Sequence, residues 1–315
     1  MISLSISNYL CNFASLIINL YKMNQYIVGI GEVLWDILVK EGRYILGGAP
    51  LNFAYHTKQF GCNSLVISAI GDDDLGRQIE ASLQQKQLPY YLAYVPQETG
   101  VVHVEMTDGI PRYDIVNNKA WDYIPLTEEL LSIASETKAV CFGSLAQRNA
   151  VSRATIYAFL DAIPADSLRI YDINLRLDWY SKEIIATSLN KANVFKINDE
   201  ELVVFQELFN YVGMTHEETC RRIMQEYGLK LLILTCGADG SYVFSESEMS
   251  FLPTNKVKVI DTVGAGDSFT ASFIASVLNG KSLREAHLIA VNASAYVCTQ
   301  SGATPVIPET LKDLS

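Results

Sequence analysis

Positive charge is in short supply. The chain has 24 lysines and arginines against 35 aspartates and glutamates, a net charge of −11 at pH 7. A nucleic-acid partner would need a basic face to neutralise phosphates, so no nucleic acid is expected. Histidine is scarcer still: His56, His103, His216 and His287 are scattered, which gives no support to imidazole-bound metal. The six cysteines (Cys11, Cys62, Cys141, Cys220, Cys236 and Cys298) never fall within metal-ligand spacing of one another. Reduced core thiols in a cytoplasmic protein are the expectation. Internal repeats and low-complexity blocks are absent. Two well-known glycine patterns are incomplete. Gly29-x-Gly31 begins like a dinucleotide fingerprint, but Leu34 stands at the third glycine position and no helical pattern follows. Gly280-Lys281-Ser282 ends like a phosphate-binding loop, but Ala275 occupies the first glycine position. Ser282 with Glu285 reads instead as a capping box.

What is present suits a protein that handles small molecules. Its 315 residues are 49% hydrophobic, ample for one large α/β domain. Met1 to Tyr21 is apolar but broken by Asn8, Asn12 and Asn19, and it lacks the basic start of a signal peptide and the purity of a membrane span. Residues 1–22 therefore read as an extension that is not native, with Met23 as the start of a domain spanning 23–315, and no membrane partner is expected. Strand-like runs at Tyr26–Ile30, Leu65–Ile70, Ala139–Phe142, Arg169–Ile173, Val194–Ile197 and Leu231–Thr235 alternate with helical stretches at 50–60, 153–160 and 216–227. That alternation predicts a largely parallel sheet flanked by helices, with ligands beyond the carboxyl ends of the strands. The stretches from about 36–47 and 90–118 break the rhythm. Asp108-Gly109 between alternating runs predicts a hairpin, and the two stretches together predict a small β-sheet lid over a sugar site. The plainer reading of the lid is an insertion without a role. An exposed lid sheet also suits a homodimer.

The most informative stretch is Asp261 to Asn279, DTVGAGDSFTASFIASVLN. A strand-like run, Lys256–Ile260, leads into the small-residue turn Gly264-Ala265-Gly266 and then a helix. Phe269, Phe273, Ile274, Val277 and Leu278 mark its core side, and Gly280 its stop. A glycine turn opening a helix aims unpaired amides at one spot and favours an anion there. Asp267 sits beside that spot. Its chemical reading is a base for a hydroxyl attacking a phosphate held by the amides; its plain reading is a helix cap. The helix dipole should favour the ionised carboxylate and lower its basicity.

Three further stretches carry polar groups at strand ends. Gly31 to Asp36 (GEVLWD) presents the Asp36 carboxylate to paired hydroxyls. Gly47-Gly48-Ala49-Pro50-Leu51-Asn52 lets a ligand approach the backbone and offers the Asn52 amide, which reads equally as a helix cap. Asn198-Asp199-Glu200-Glu201 suits Mg²⁺ held mainly through water, or simply the acidic first turn of a helix.

With these motifs in order, the sequence resembles the ribokinase-like (PfkB) carbohydrate kinase family from Tyr26 to Pro308. DTVGAGDSF is similar to its C-terminal signature, GGAPLNFAYHTKQFG to its N-terminal one, and Asn198-x-x-Glu201 to its N-x-x-E motif. The resemblance implies a three-layer ribokinase-like α/β sandwich with a lid, and ATP-dependent phosphorylation of a sugar. It implies Asp267 as the base and Gly264, Ala265 and Gly266 as the anion hole. Asn198 and Glu201 would organise Mg²⁺, and Asp36, Gly48 and Asn52 would hold the sugar. Thr235, Gly237 and Gly240 would lie at the nucleotide, with Asn292 bordering the adenine, and Asp261 would belong to a site for K⁺. GEVLWD, GGAPLNFAYH and Asp172-x-Asn174-x-Arg176 are most similar to bacterial fructokinases. Asn174 and Arg176 would face the sugar or the donor phosphates, and Arg112 would reach down from the lid. Fructose is the leading acceptor. Ribose, 2-keto-3-deoxygluconate and nucleosides are alternatives, and a non-catalytic sugar- or nucleotide-binding regulator is the rival from another class.

Overall fold

The computed structural model describes residues 25–107 and 110–312; side chains at 105–112 lie outside that description. The expectation for residues 1–22 and Met23 also falls outside the described residues.

Nine strands form the large sheet in the order β13-β12-β11-β10-β9-β8-β1-β4-β5. They are β1 (Tyr26–Ile30), β4 (Ser64–Gly71), β5 (Tyr90–Val95), β8 (Thr137–Gly143), β9 (Leu168–Asp172), β10 (Val194–Asn198), β11 (Leu231–Thr235), β12 (Ser241–Ser245) and β13 (Met249–Leu252). The pairings from β5 through β11 are parallel, and only β12 and β13 run antiparallel at one edge. The intervening helices are α1 (Ala49–Gln59), α2 (Asp74–Gln85), α3 (Glu128–Ser135), α4 (Ala150–Ala162), α5 (Lys182–Lys191), α6 (Asp199–Phe209), α7 (His216–Tyr227), α8 (Ala265–Leu278) and α9 (Leu283–Cys298).

Alternation along each strand builds the three layers. Val28, Ile30, Val140, Phe142, Tyr171, Phe195 and Leu232 share one core with α3 to α7. Their neighbours Ile27, Ala139, Cys141, Ile170, Val194 and Ile233 share the other with α1, α8 and α9. Successive side chains point to opposite faces, so an apolar run on a parallel strand serves two cores. The expected α/β sandwich is therefore the observed fold. Among the described residues, no helix is long and apolar enough to cross a membrane.

The small sheet has the order β3-β2-β6-β7, from β2 (Leu34–Leu38), β3 (Arg43–Gly47), β6 (Gly100–Thr107) and β7 (Ile110–Ile115). The predicted hairpin joins β6 and β7 antiparallel, with its turn, Asp108-Gly109, outside the described residues. Tyr90–Val95 is a different matter. It lies at the edge of the large sheet, paired with β4, because its half-buried side chains complete that layer.

One further expectation is corrected. Lys256–Ile260 is not a strand; it is an exposed irregular segment. Its apolar residues, including Ile260 at 65% exposure, have no sheet to cover them. The helix after the glycine turn is packed on all sides, as Ala271, Ser272, Ala275 and Ser276 on the sides away from its large apolar residues suggested: every residue from Ser268 to Ser276 is buried. Small side chains let α8 pack between neighbours, and Ser272 and Ser276 satisfy their hydroxyls on Ser268 O and Ser272 O within the helix. Gly280, at φ +82°, follows the helix end as predicted.

Candidate active site

The carboxyl ends of the parallel strands deliver the polar residues to one edge of the sheet. Gly31 and Glu32 follow β1, Gly143 ends β8, Asp172 ends β9, Asn198 ends β10 and Thr235 ends β11.

Asp267 stands on the first turn of α8. The helix is capped by Gly264 in the left-handed region, with no side-chain cap, so Asp267 is not the cap. A Cβ at Gly264 would sit 2.6 Å from Ala303 O, so this close turn requires glycine. The start of a helix leaves its first amides without intrahelical acceptors. Ala265 N–H bonds Thr262 O at 3.2 Å, which leaves the Gly266 and Asp267 amides without an acceptor among the described residues. Asp267 Oδ2 accepts a 2.8 Å hydrogen bond from Asn52 Nδ2. The carboxylate lines a narrow cavity with Ala49, Pro50, Gly143, Asp172 and Asn174. Burial raises its pKa above the ordinary aspartate value, against the opposing pull of Asn52, Lys196 and Arg176. The dipole argument predicted lowered basicity; desolvation outweighs it.

Asn52 is not a cap, because it lies inside α1, whose N-cap is Gly48. Its Oδ1 is buried without a hydrogen-bond partner among the described residues, as is Glu32 Oε2. Buried polar atoms left open in this way call for a partner, and beside Asp267 a ligand hydroxyl or an ordered water would supply one. Gly48 has φ +117°, and a Cβ there would lie 2.2 Å from Glu32 O. A Cβ at Gly47 would lie 2.5 Å from Asp36 Oδ2. The glycine pair therefore lets α1 begin directly against the β1–β2 connection. Burial pushes Asp36 up to about 6, with Arg176 pulling it down. Burial also pushes Glu32 up to about 7, opposed by its own amide and by Arg176. Arg176 is exposed, and its charge reaches Glu32, Asp36 and Asp267 together. The structure thus gathers Asp36, Asn52, Asn174, Arg176 and Asp267. Arg112 lies on β7, but its side chain is outside the described residues.

Asn198 and Glu201 form a reciprocal capping box at the start of α6. Glu201 Oε2 accepts from Asn198 N at 3.0 Å and Oε1 from Leu175 N at 2.9 Å. Both oxygens already serve backbone amides, and among the described residues no group of three acidic, His or Cys side chains could cage a metal. The set fits Mg²⁺ held through water and phosphate oxygens, not through direct carboxylate ligation.

A second group lies toward β11. Cys236 N bonds Gly240 O at 2.8 Å, and Thr254 Oγ1 bonds Gly237 O, so the loop after Thr235 is a closed turn. Gly237 and Gly240 both have positive φ, +49° and +137°. Asn292 Oδ1 accepts from Asn255 Nδ2 at 2.8 Å, tying α9 to the 253–264 segment. Asp261 accepts the amides of Val263 and Gly302, both at 3.0 Å, and so joins two loops.

Sequence reasoning missed Glu32 and Lys196 as site residues. Lys196 carried a readable signal, a lysine inside a strand whose every other core position is apolar. Glu32 differed from a surface acid only in its tertiary burial.

Comparison with known proteins agrees with this geometry. The description "pfkB family carbohydrate kinase" matches residues 10–310. The ATP-dependent 6-phosphofructokinase of Thermoanaerobacterium thermosaccharolyticum is 28% identical, over 90% of this chain and 91% of that protein. The fructokinase of Salmonella typhimurium is also 28% identical, over 91% and 97%. The crystal structure of a fructokinase with bound ATP from Xylella fastidiosa superposes with a TM-score of 0.79 at 19% identity, covering 90% of this chain and 95% of the other. A match of that extent to the family description, on a sheet that brings the signature residues to one edge, establishes the chain as a member of the pfkB family of carbohydrate kinases.

Proposed function

We propose that this carbohydrate kinase transfers the γ-phosphoryl group of ATP to a primary hydroxyl of a small sugar, with fructose as acceptor and fructose 6-phosphate as product. The observation that carries the reading is Asp267: a carboxylate beside free helix-start amides, held by Asn52 at 2.8 Å, on the wall of a cavity. Asp36, Gly48, Asn52 and Asn174 hold the sugar, with Arg176 over the acidic cluster. Asp267 orients the attacking hydroxyl and takes its proton; its raised pKa makes it a better base than a free aspartate. The Gly264-Ala265-Gly266 turn receives the negative charge that grows on the phosphoryl group, chiefly through the Gly266 and Asp267 amides. Thr235, Gly237, Gly240 and Asn292 line the nucleotide. Mg²⁺, organised by Asn198 and Glu201 through water, neutralises phosphate charge. K⁺ at the Asp261 loops steadies the turn. The protein works in the cytoplasm as a homodimer through the small sheet, whose β3 and β7 edges are unpaired among the described residues; a monomer by light scattering at micromolar concentration contradicts that assembly.

The relative that acts as a 6-phosphofructokinase supports a second reading, a phosphorylated sugar as acceptor. Glu32, Asp36 and Asp267 face Arg176, while Lys196 is paired with Asp172; this acidic excess favours a neutral acceptor, since like charges repel a sugar phosphate. ADP release across fructose, fructose 6-phosphate, ribose, 2-keto-3-deoxygluconate and adenosine, with Mg²⁺ and with or without K⁺, decides. Fructose should give the highest kcat/KM. A tenfold preference for any other acceptor overturns the fructose assignment, and no acceptor-dependent release favours the binding-protein reading.

A further inference from the structure

Lys196, in the middle of β10, is paired in register with Asp172, which ends β9, and both lie on the face that also carries Val194 and Ile170 and looks toward α8. Both are buried, at 6% and 4% exposure. Lys196 Nζ lies 3.2 Å from Asp172 Oδ1. A Cβ at Gly266 would come within 3.2 Å of the same Nζ, so the ammonium lies directly beneath the glycine turn. An isolated buried lysine is costly and survives only with compensating charge. Here the compensation comes from three elements at once: Asp172 on β9, Glu201 on α6 and Asp267 on α8.

We propose that Lys196 is a positioning residue for the phosphoryl transfer: its ammonium supports the glycine turn from below and, balanced by Asp172, sets the charge on Asp267. Asp267 meets charged and polar groups from every side. Asn52 comes from α1, Glu32 from the end of β1, Asp172 from β9, Arg176 from the following loop, Lys196 from β10, and the Cys141 thiol from β8. Of these, Lys196 is the buried cation, and its field is not screened as that of exposed Arg176 is. Its buried ammonium has a charged partner in Asp172 at 3.2 Å. Gly266 follows from the same arrangement, since any side chain there would press on the ammonium.

This inference rests on Asp267 being the base, so its test is read on the substrate-free protein and is separate from any acceptor assay. The full chain is labelled with ¹³Cγ-aspartate. The Asp267 signal is the one absent from Asp267→Asn, and its titration is followed in Lys196→Met and in the double variant Asp172→Asn/Lys196→Met. Removing the pair together leaves no lone buried charge and protects the fold if the single variant fails. The Asp267 midpoint should rise by about one pH unit or more in Lys196→Met, a tenfold gain in proton affinity. The double variant should fall between it and the parent. A midpoint unchanged in both, in folded protein, overturns the proposal. If Lys196→Met does not fold, a midpoint in the double variant equal to the parent's overturns it too.

Discussion

The two ends proposed for the candidate cleft, one for the sugar acceptor and one for the nucleotide, are built from different materials. The acceptor end is a set of buried side chains, with Glu32 and Asn52 each leaving a polar atom open and Asp36, Glu32 and Asp267 all pushed up by burial. The nucleotide end is mostly backbone. Gly237 and Gly240 turn the chain, and Thr254 and Asn255 hold it from an exposed segment. Side chains in a closed space discriminate between acceptors, because a wrong group leaves buried partners unpaired. Backbone turns hold phosphates, which every nucleoside triphosphate has. The difference predicts that acceptor-end substitutions cost much and nucleotide-end substitutions little.

Glycine substitutions give the sharpest contrast. Gly48→Ala should cost about 3 kcal/mol or more in urea unfolding, through positive φ and a backbone collision with Glu32 O. Gly237→Ala, with nothing within 4 Å of the new methyl, should cost about 1 kcal/mol. Equal losses would break the comparison. Next comes pH. Burial raises Glu32 from an ordinary value of 4.5 to about 7, so the folded state binds its proton more tightly than the unfolded chain. That stabilisation is full below about pH 4.5 and is lost as pH rises through 7. Glu32→Gln should remove about 3 kcal/mol of pH dependence between those limits, seen as a flatter profile of unfolding midpoints. A profile parallel to the parent's would contradict it. Asp36→Asn should lower kcat/KM for the sugar by roughly 10- to 100-fold while changing KM for ATP less than about twofold; a change confined to ATP would reverse the roles of the two ends. Smallest of all, Asn292→Ala loses one exposed 2.8 Å link and should raise KM for ATP by under about threefold.

The same division explains what the sequence disclosed. Asp267, Asn52 and Asp36 stood out as candidates by their place beside a glycine turn or at a strand end, although Asp267 and Asn52 read equally as helix caps until the structure gave those caps to Gly264 and Gly48. Asn198 and Glu201 read as a Mg²⁺ motif or as the acidic first turn of a helix, and the structure shows them as a capping box at that helix start. Six of the nine strands of the large sheet, β1, β4 and β8 to β11, were legible as apolar runs, since parallel strands are buried on both faces. Lys256–Ile260 looked like one of them and is not, because pattern alone cannot tell an apolar run that finds a sheet from one that stays at the surface. The assignment of Tyr90–Val95 was hidden for a related reason: strand pairing is set by tertiary contacts, and the run fits either sheet. The roles of Thr235, Gly237 and Gly240 came from resemblance, for a backbone amide leaves no mark in the residue alphabet.

The account depends most on Asp267 acting as the base for a sugar hydroxyl. Fructose-dependent ADP release from MgATP, measured for the parent and for Asp267→Asn with matched circular dichroism, tests it directly. The account predicts turnover by the parent and a loss of roughly 10²- to 10⁴-fold in the variant. A folded Asp267→Asn enzyme that turns over within tenfold of the parent would contradict it.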